Sequence, residues 1–128
     1  MVTQITRGIK ISVLSNFEGT YFKNHKLHFA FSYEITIENH SKDSVQLTSR
    51  HWEIFDSLNE IEIVDGEGVI GKKPVLKPGE THIYSSGCLL LSPYGSMQGY
   101  FNMINFTSTK LFKVIVPTFK LNAPFALN

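Results

Sequence analysis

Apolar and polar residues alternate with a period of two over much of the chain. From residue 27 the odd positions read Leu27, Phe29, Phe31, Tyr33, Ile35 and Ile37, and the even ones His28, Ala30, Ser32, Glu34, Thr36 and Glu38. Successive side chains of a strand point to opposite faces, so this run predicts a long strand with one buried and one mostly polar face. A polar turn follows at residues 39–44. The next strand begins with Val45 and Leu47 on its odd face, yet its later buried candidates, Trp52 and Ile54, are even. One extra residue in a strand reverses which face a side chain meets, so the pattern predicts a β-bulge near Ser49 or Arg50. Bulges often adjoin functional sites, which marks Arg50 and His51.

Further along, Asp56-Ser57-Leu58-Asn59 reads as a turn, 60–64 as a short strand and Asp65-Gly66-Glu67-Gly68 as a loop. Segments 81–84, 88–91, 97–106 and 111–116 read as strands, with Pro117 continuing the last as an edge because proline cannot donate to a ladder. No segment keeps a 3.6-residue apolar spacing beyond two turns. About seven short strands with frequent turns predict an all-β immunoglobulin- or fibronectin type III-like two-sheet sandwich, with a closed barrel as the alternative. The 128 residues suffice for one self-supporting domain, with a loose tail expected over 123–128.

Composition narrows the function classes. Twelve Lys and Arg against eleven Asp and Glu, without a basic stripe, argue against nucleic-acid binding. The single Cys88 cannot form an internal disulfide and fits a reducing compartment. The first residues have no apolar core of a signal peptide, and no apolar run can span a bilayer. A cytoplasmic protein without membrane attachment is the expectation.

Four constellations carry residues with chemical potential. Gly66-Glu67-Gly68-Val69-Ile70-Gly71 matches G-x-G-x-x-G, but Pro74 and Pro78-Gly79 leave no room for the helix a dinucleotide fold needs. It reads as a turn using positive φ, with anion binding by loop amides, aided by Lys72 and Lys73, left open. Arg50-His51-Trp52 pairs an anchor tryptophan with two residues able to face a ligand or partner. His51 and Glu53 share a face, but no recognised metal-ligand spacing occurs. Ser85-Ser86-Gly87-Cys88 holds a thiol beside Leu89-Leu90-Leu91, which suggests a buried, inert cysteine. By strand alternation the polar candidates are expected to be spread over a slab and not gathered in one cleft.

Segments 33–39, 45–56, 64–80, 84–87, 92–100 and 112–119 together resemble the ApaG family, also called the DUF525 domain. They include Thr48-Ser49-Arg50-His51-Trp52, the Gly66 to Gly71 motif, Pro78-Gly79-Glu80 and Ser92-Pro93-Tyr94-Gly95. Two departures occur: Asn59 stands where the family usually has a turn glycine, and Lys73 precedes Pro74 where Gln is common. The resemblance implies a fibronectin-like sandwich. Bacterial members are associated with cobalt and magnesium efflux, eukaryotic domains of this kind occur in F-box and polymerase-interacting proteins, and the glycine motif has been likened to a pyrophosphate-binding loop. The expectation is therefore a non-catalytic module in Co2+/Mg2+ homeostasis, acting through a protein partner, with no cofactor, no resident metal and no catalytic residue. Arg50 and His51 are its expected interaction surface, and homodimerisation through sandwich edges is left open. The alternative is a small-ligand sensor for pyrophosphate, nucleotide or metal, using Gly66, Gly68, Gly71, Lys72 and Lys73 or the Arg50–His51 surface.

Overall fold

Nine β-strands build the protein, as seen in a computed structural model that describes residues 1–124. They are β1 (Val2–Thr6), β2 (Ile9–Lys23), β3 (Lys26–Asn39), β4 (Val45–Asp56), β5 (Glu62–Glu67), β6 (Val75–Leu76), β7 (Thr81–Leu90), β8 (Tyr94–Asn105) and β9 (Leu111–Asn122). All pairings are antiparallel. One sheet has the order β1-β2-β3-β7, the other β5-β4-β8-β9, with β6 pairing β4 beyond the end of β5. No α-helix occurs among the described residues, so none is long and apolar enough to cross a membrane.

The alternation along β3 is realised from Phe29 to Ile37, whereas Leu27 lies near the hairpin tip and is exposed. Phe31, Tyr33, Ile35 and Ile37 meet Leu47, Trp52, Phe101 and Val114 of the facing sheet in one continuous core. Each such side chain contributes about 1.5–3 kcal/mol by leaving water. Trp52 sits at the centre, edge-on to Phe101 and Phe119 with centroids 6.0 Å away in both cases. Such T-shaped pairs place a ring's positive edge against its neighbour's negative face.

The bulge lies one residue before the expected place. The β4–β8 register steps from Leu47↔Met103 to Ser49↔Asn102, leaving Thr48 as the extra residue. Its hydroxyl donates to the Asn102 carbonyl, and its own carbonyl accepts the Gly68 amide. After this step Arg50, Trp52 and Ile54 point between the sheets, while His51 and Glu53 point outward.

Several expectations need correction. The sequence reading assigned no strand before residue 27, yet β1 and β2 form a hairpin there, with Ile9, Ile11 and Val13 in the core. The expected pair of strands over 81–91 is the single strand β7, and β5 runs through Asp65, Gly66 and Glu67, where a loop was expected. Ala123, the first residue of the expected tail, is buried and donates its amide to the Pro93 carbonyl; residues 125–128 of that tail lie outside the described residues.

The sandwich is asymmetric at its flanks. On one, Thr6 at the end of β1 accepts the Ile115 amide of β9 at 3.2 Å, and Ser15 of β2 donates to the Lys120 carbonyl at 3.2 Å. On the other, β7 and β5 are sheet edges that do not pair with each other. The barrel alternative is thus approached on one side only, and the open flank is where the candidate site lies.

Candidate functional site

Four of the candidate residues lie on or beside the β5–β6 connection. Gly68 and Gly71 have φ of +61° and +72°, and the non-glycine Ile70 has +48°. Val69 and Lys72 exchange backbone hydrogen bonds at 2.8 and 3.1 Å, so 69–72 is a two-residue hairpin turn with positive φ at both central positions. A Cβ on Gly68 would fall 2.2 Å from the Lys72 carbonyl oxygen, so no other residue fits without moving backbone. The Gly68 amide goes to Thr48, the Val69 amide to Lys72 and the Lys72 amide to Val69. These three donors are committed within the fold and do not form an anion cradle. Gly66 lies in extended strand opposite Arg50. Lys73 pairs with Glu67 at 3.3 Å on the surface.

Arg50 and His51 do not form one surface. Consecutive strand residues face opposite ways, and the Thr48 bulge turns Arg50 inward. Its guanidinium lies over Gly66, and Nη1 donates to the carbonyls of Glu67 and Gly68, both at 2.9 Å. No carboxylate pairs with it among the described residues. The glycine motif therefore turns carbonyls toward a resident cation, the reverse of a phosphate loop.

His51 belongs to the outer face of the β5-β4-β8-β9 sheet. Its Nδ1 is 2.6 Å from Asp65 of β5, and its Nε2 is 3.2 Å from Glu53. Serving both carboxylates requires both ring nitrogens to donate, which is the imidazolium. The Asp65 hydrogen bond, helped by Glu53, raises the His51 pKa above 6.5 against a smaller desolvation effect. The ring stacks on Tyr100 at 4.7 Å, and Lys113 Nζ lies 4.4 Å from the Tyr100 centroid. Because the two carboxylates flank opposite nitrogens, they do not converge on a common point with the imidazole. Among the described residues no three His, Cys, Asp or Glu side chains are grouped to hold a metal.

The open flank contains a feature the sequence reading missed. Arg50 shares two adjoining cavities, of about 210 and 450 Å³, with Tyr33, Trp52 and Ser86. Tyr84 and the Gly71 turn close the smaller one; Ile54, Val64, Leu89 and Met97 help line the larger. The expected spreading of polar residues over a slab fails here, because β7 brings Tyr84 and Ser86 across from Arg50. Burial raises the Tyr33 pKa, against a smaller lowering influence of the Ser86 side chain. The Tyr84 hydroxyl is buried with no hydrogen-bond partner among the described residues, and burial raises its pKa strongly. His82, two residues earlier, likewise buries Nε2 without a partner; burial, and then Lys72, lowers its pKa. It borders a separate recess with Lys72. Cys88 at the floor of the larger cavity has its pKa pushed up to about 12 by burial, so at neutral pH it is a thiol and a poor nucleophile. The missed signal was the even positions of β7, His82, Tyr84, Ser86 and Cys88, which form one inward row once 81–90 is read as a single strand.

Residues 19–105 match the family model described as the ApaG domain, DUF525. Protein ApaG of Beijerinckia indica subsp. indica is 41% identical over 126 residues, covering 98% of this chain and 96% of that protein. Protein ApaG of Methylocella silvestris is 39% identical over 125 residues, covering 98% and 95%. Among solved structures, the putative ApaA protein from Bordetella pertussis superposes with a TM-score of 0.79 at 32% identity, covering 91% of this chain and 94% of that one. A Northeast Structural Genomics Consortium target reaches 0.85, also at 32% identity, covering 91% and 88%.

Proposed function

The chain belongs to the ApaG family, and from that premise we propose that it is a non-catalytic binding module acting in divalent-cation homeostasis through a protein partner. The partner-facing surface in this reading is the outer face of the β5-β4-β8-β9 sheet, centred on His51, Tyr100 and Lys113. The observation that carries it is the double engagement of His51 by Asp65 and Glu53. An imidazolium with both nitrogens donating has no lone pair for a metal and accepts no proton from a substrate. It is, however, a fixed cation stacked on the Tyr100 ring, and aromatic residues such as Tyr100 are enriched at protein interfaces. Arg50 lies outside this surface.

The reading links cobalt and magnesium to the chain through its partner and assigns it no cation of its own. Two experiments test it together. Affinity capture with the native chain should recover a specific partner, and His51→Ala with Tyr100→Ala should lose it while the fold persists. A strain lacking the protein should change its tolerance to cobalt, and the double variant should fail to restore it. Unchanged capture by the variant would remove this face from the interaction, and unchanged cobalt tolerance would remove the link to cations.

A further inference from the structure

The inter-sheet cleft on the open flank holds a cation and an unsatisfied hydroxyl that the partner reading does not use. A buried hydroxyl without a hydrogen bond costs about 1–3 kcal/mol, so such groups call for an occupant or a reason. The Tyr84 hydroxyl is one. It shares the smaller cavity with Arg50, whose guanidinium makes its hydrogen bonds among the described residues through Nη1. The other guanidinium donors have no carboxylate opposite them. Arg50 is half-buried, and a cation drawn even partly out of water ordinarily finds a partner, because desolvation is costly. Two carbonyl dipoles satisfy Arg50 in part, and an anion would complete it.

We propose that this cleft is a binding site for a small organic anion: a carboxylate or phosphate head against Arg50 and Tyr84, with a compact apolar body lying along Trp52, Ile54, Val64 and Met97. The two volumes divide the ligand accordingly. At about 210 Å³ the inner cavity is below the usual size of a small-molecule site and suits a head group, while the adjoining 450 Å³ falls within that range and has the apolar side chains of Trp52, Ile54, Val64, Leu89 and Met97 along part of its wall. Two carboxylates border the cleft. Glu67 is held on the surface by Lys73, and Glu62 lies at the outer rim of the larger cavity, exposed to solvent. Glu67 borders the inner cavity itself, where the Lys73 ammonium offsets its charge, and Glu62 favours a neutral body at its own end. The site differs from the Gly66 to Gly71 loop as an anion cradle: here the loop contributes carbonyls that hold Arg50, and the side chains hold the ligand. It also stands independently of any partner on the outer face.

Trp52 is the chain's single tryptophan and lines both cavities, so its emission reports occupancy directly. Titration with phenylbutyrate and phenyl phosphate should give a saturable change for at least one, and that one identifies the head. Phenylbutanol, which keeps the body but lacks the charge, should bind at least about tenfold more weakly, as should inorganic phosphate, which lacks the body. Tyr84→Phe should weaken the anion roughly tenfold without lowering the melting temperature, because in the free protein that hydroxyl bonds to nothing. Arg50→Gln should abolish saturation; should it disturb the glycine loop, Tyr84→Phe still decides. A flat Trp52 signal for both anions into the millimolar range overturns the proposal. Equal affinity for phenylbutanol, for inorganic phosphate or for Tyr84→Phe does so too.

Discussion

Arg50 lies across Gly66 so closely that a Cβ on the glycine would come within 2.6 Å of Nη2 and 2.7 Å of Cζ. The two residues are register partners on β4 and β5, and the absent side chain is what lets the guanidinium reach the Glu67 and Gly68 carbonyls. Gly66→Ala should displace Arg50, which is the movable end of a flexible side chain, and lose those bonds. The expected cost is about 1–2 kcal/mol in urea unfolding. Combined with Arg50→Ala, the same change should cost clearly less, so a double-mutant cycle checks the coupling.

Ile70 carries a positive φ, is β-branched and is 60% exposed. A branched Cβ in the left-handed region is strained, whereas Asn or Gly tolerates it. Ile70→Asn should therefore raise the unfolding free energy by about 1 kcal/mol. A lower denaturation midpoint would mean that the isoleucine makes contacts outweighing its strain.

His51 should make stability depend on pH in a defined direction. Its folded pKa is raised above the unfolded value near 6.5 by Asp65 first and Glu53 next. A raised pKa means the folded state binds the proton more tightly. The contribution is complete below the unfolded pKa and fades as pH rises through the folded one, so the losing window lies above 6.5. The stability difference between wild type and His51→Gln should shrink from mildly acidic to alkaline pH, and the imidazole NMR titration should centre above 6.5. Asp65→Asn should move that midpoint down further than Glu53→Gln.

Asp56 is buried and accepts three hydrogen bonds: from the Ser92 hydroxyl at 2.5 Å, the Leu91 amide at 2.7 Å and, more weakly, the Leu58 amide at 3.5 Å. This carboxylate ties the end of β4 to the β7–β8 turn. Asp56→Ala strands the Leu91 amide, while the Ser92 hydroxyl keeps the Tyr94 carbonyl at 2.8 Å as an acceptor, and the change should cost about 2 kcal/mol. Asp56→Asn keeps an acceptor and should cost less. Thermal or urea unfolding gives both values.

The parts of the fold that the sequence disclosed were those where burial is one-sided. β3 alternates because one face meets Trp52 and Phe101 and the other meets water, and the parity change in β4 announced its bulge to within a residue. The same alternation runs through Ile9, Ile11 and Val13 after Arg7-Gly8, but over only three apolar positions before Leu14 and Ser15 blur it. Ser85-Ser86-Gly87 has the composition of a turn and so hides the continuity of β7, although an edge strand tolerates such residues without losing its ladder to β3. The cleft was not legible for a different reason. Arg50 and Tyr84 belong to different sheets, and nothing local states that two strands 34 positions apart will face each other across a gap. The motif's reading as a turn holds for Gly68 and Gly71 but not for Gly66, which lies in strand β5, and pairing Arg50 with His51 by adjacency fails because adjacency in a strand separates side chains.

The extra residue at Thr48 makes the length of β4 a matter of odd and even. Removing that one position would leave the strand fully paired in outline but inside out beyond it: the indole and the guanidinium would be presented to solvent, and an imidazolium with its acidic neighbour would be driven between the sheets. Removing or adding two residues would keep every side on its proper side at the cost of a shorter or longer ladder. Genetic change at this place is therefore tolerated in pairs and punished singly.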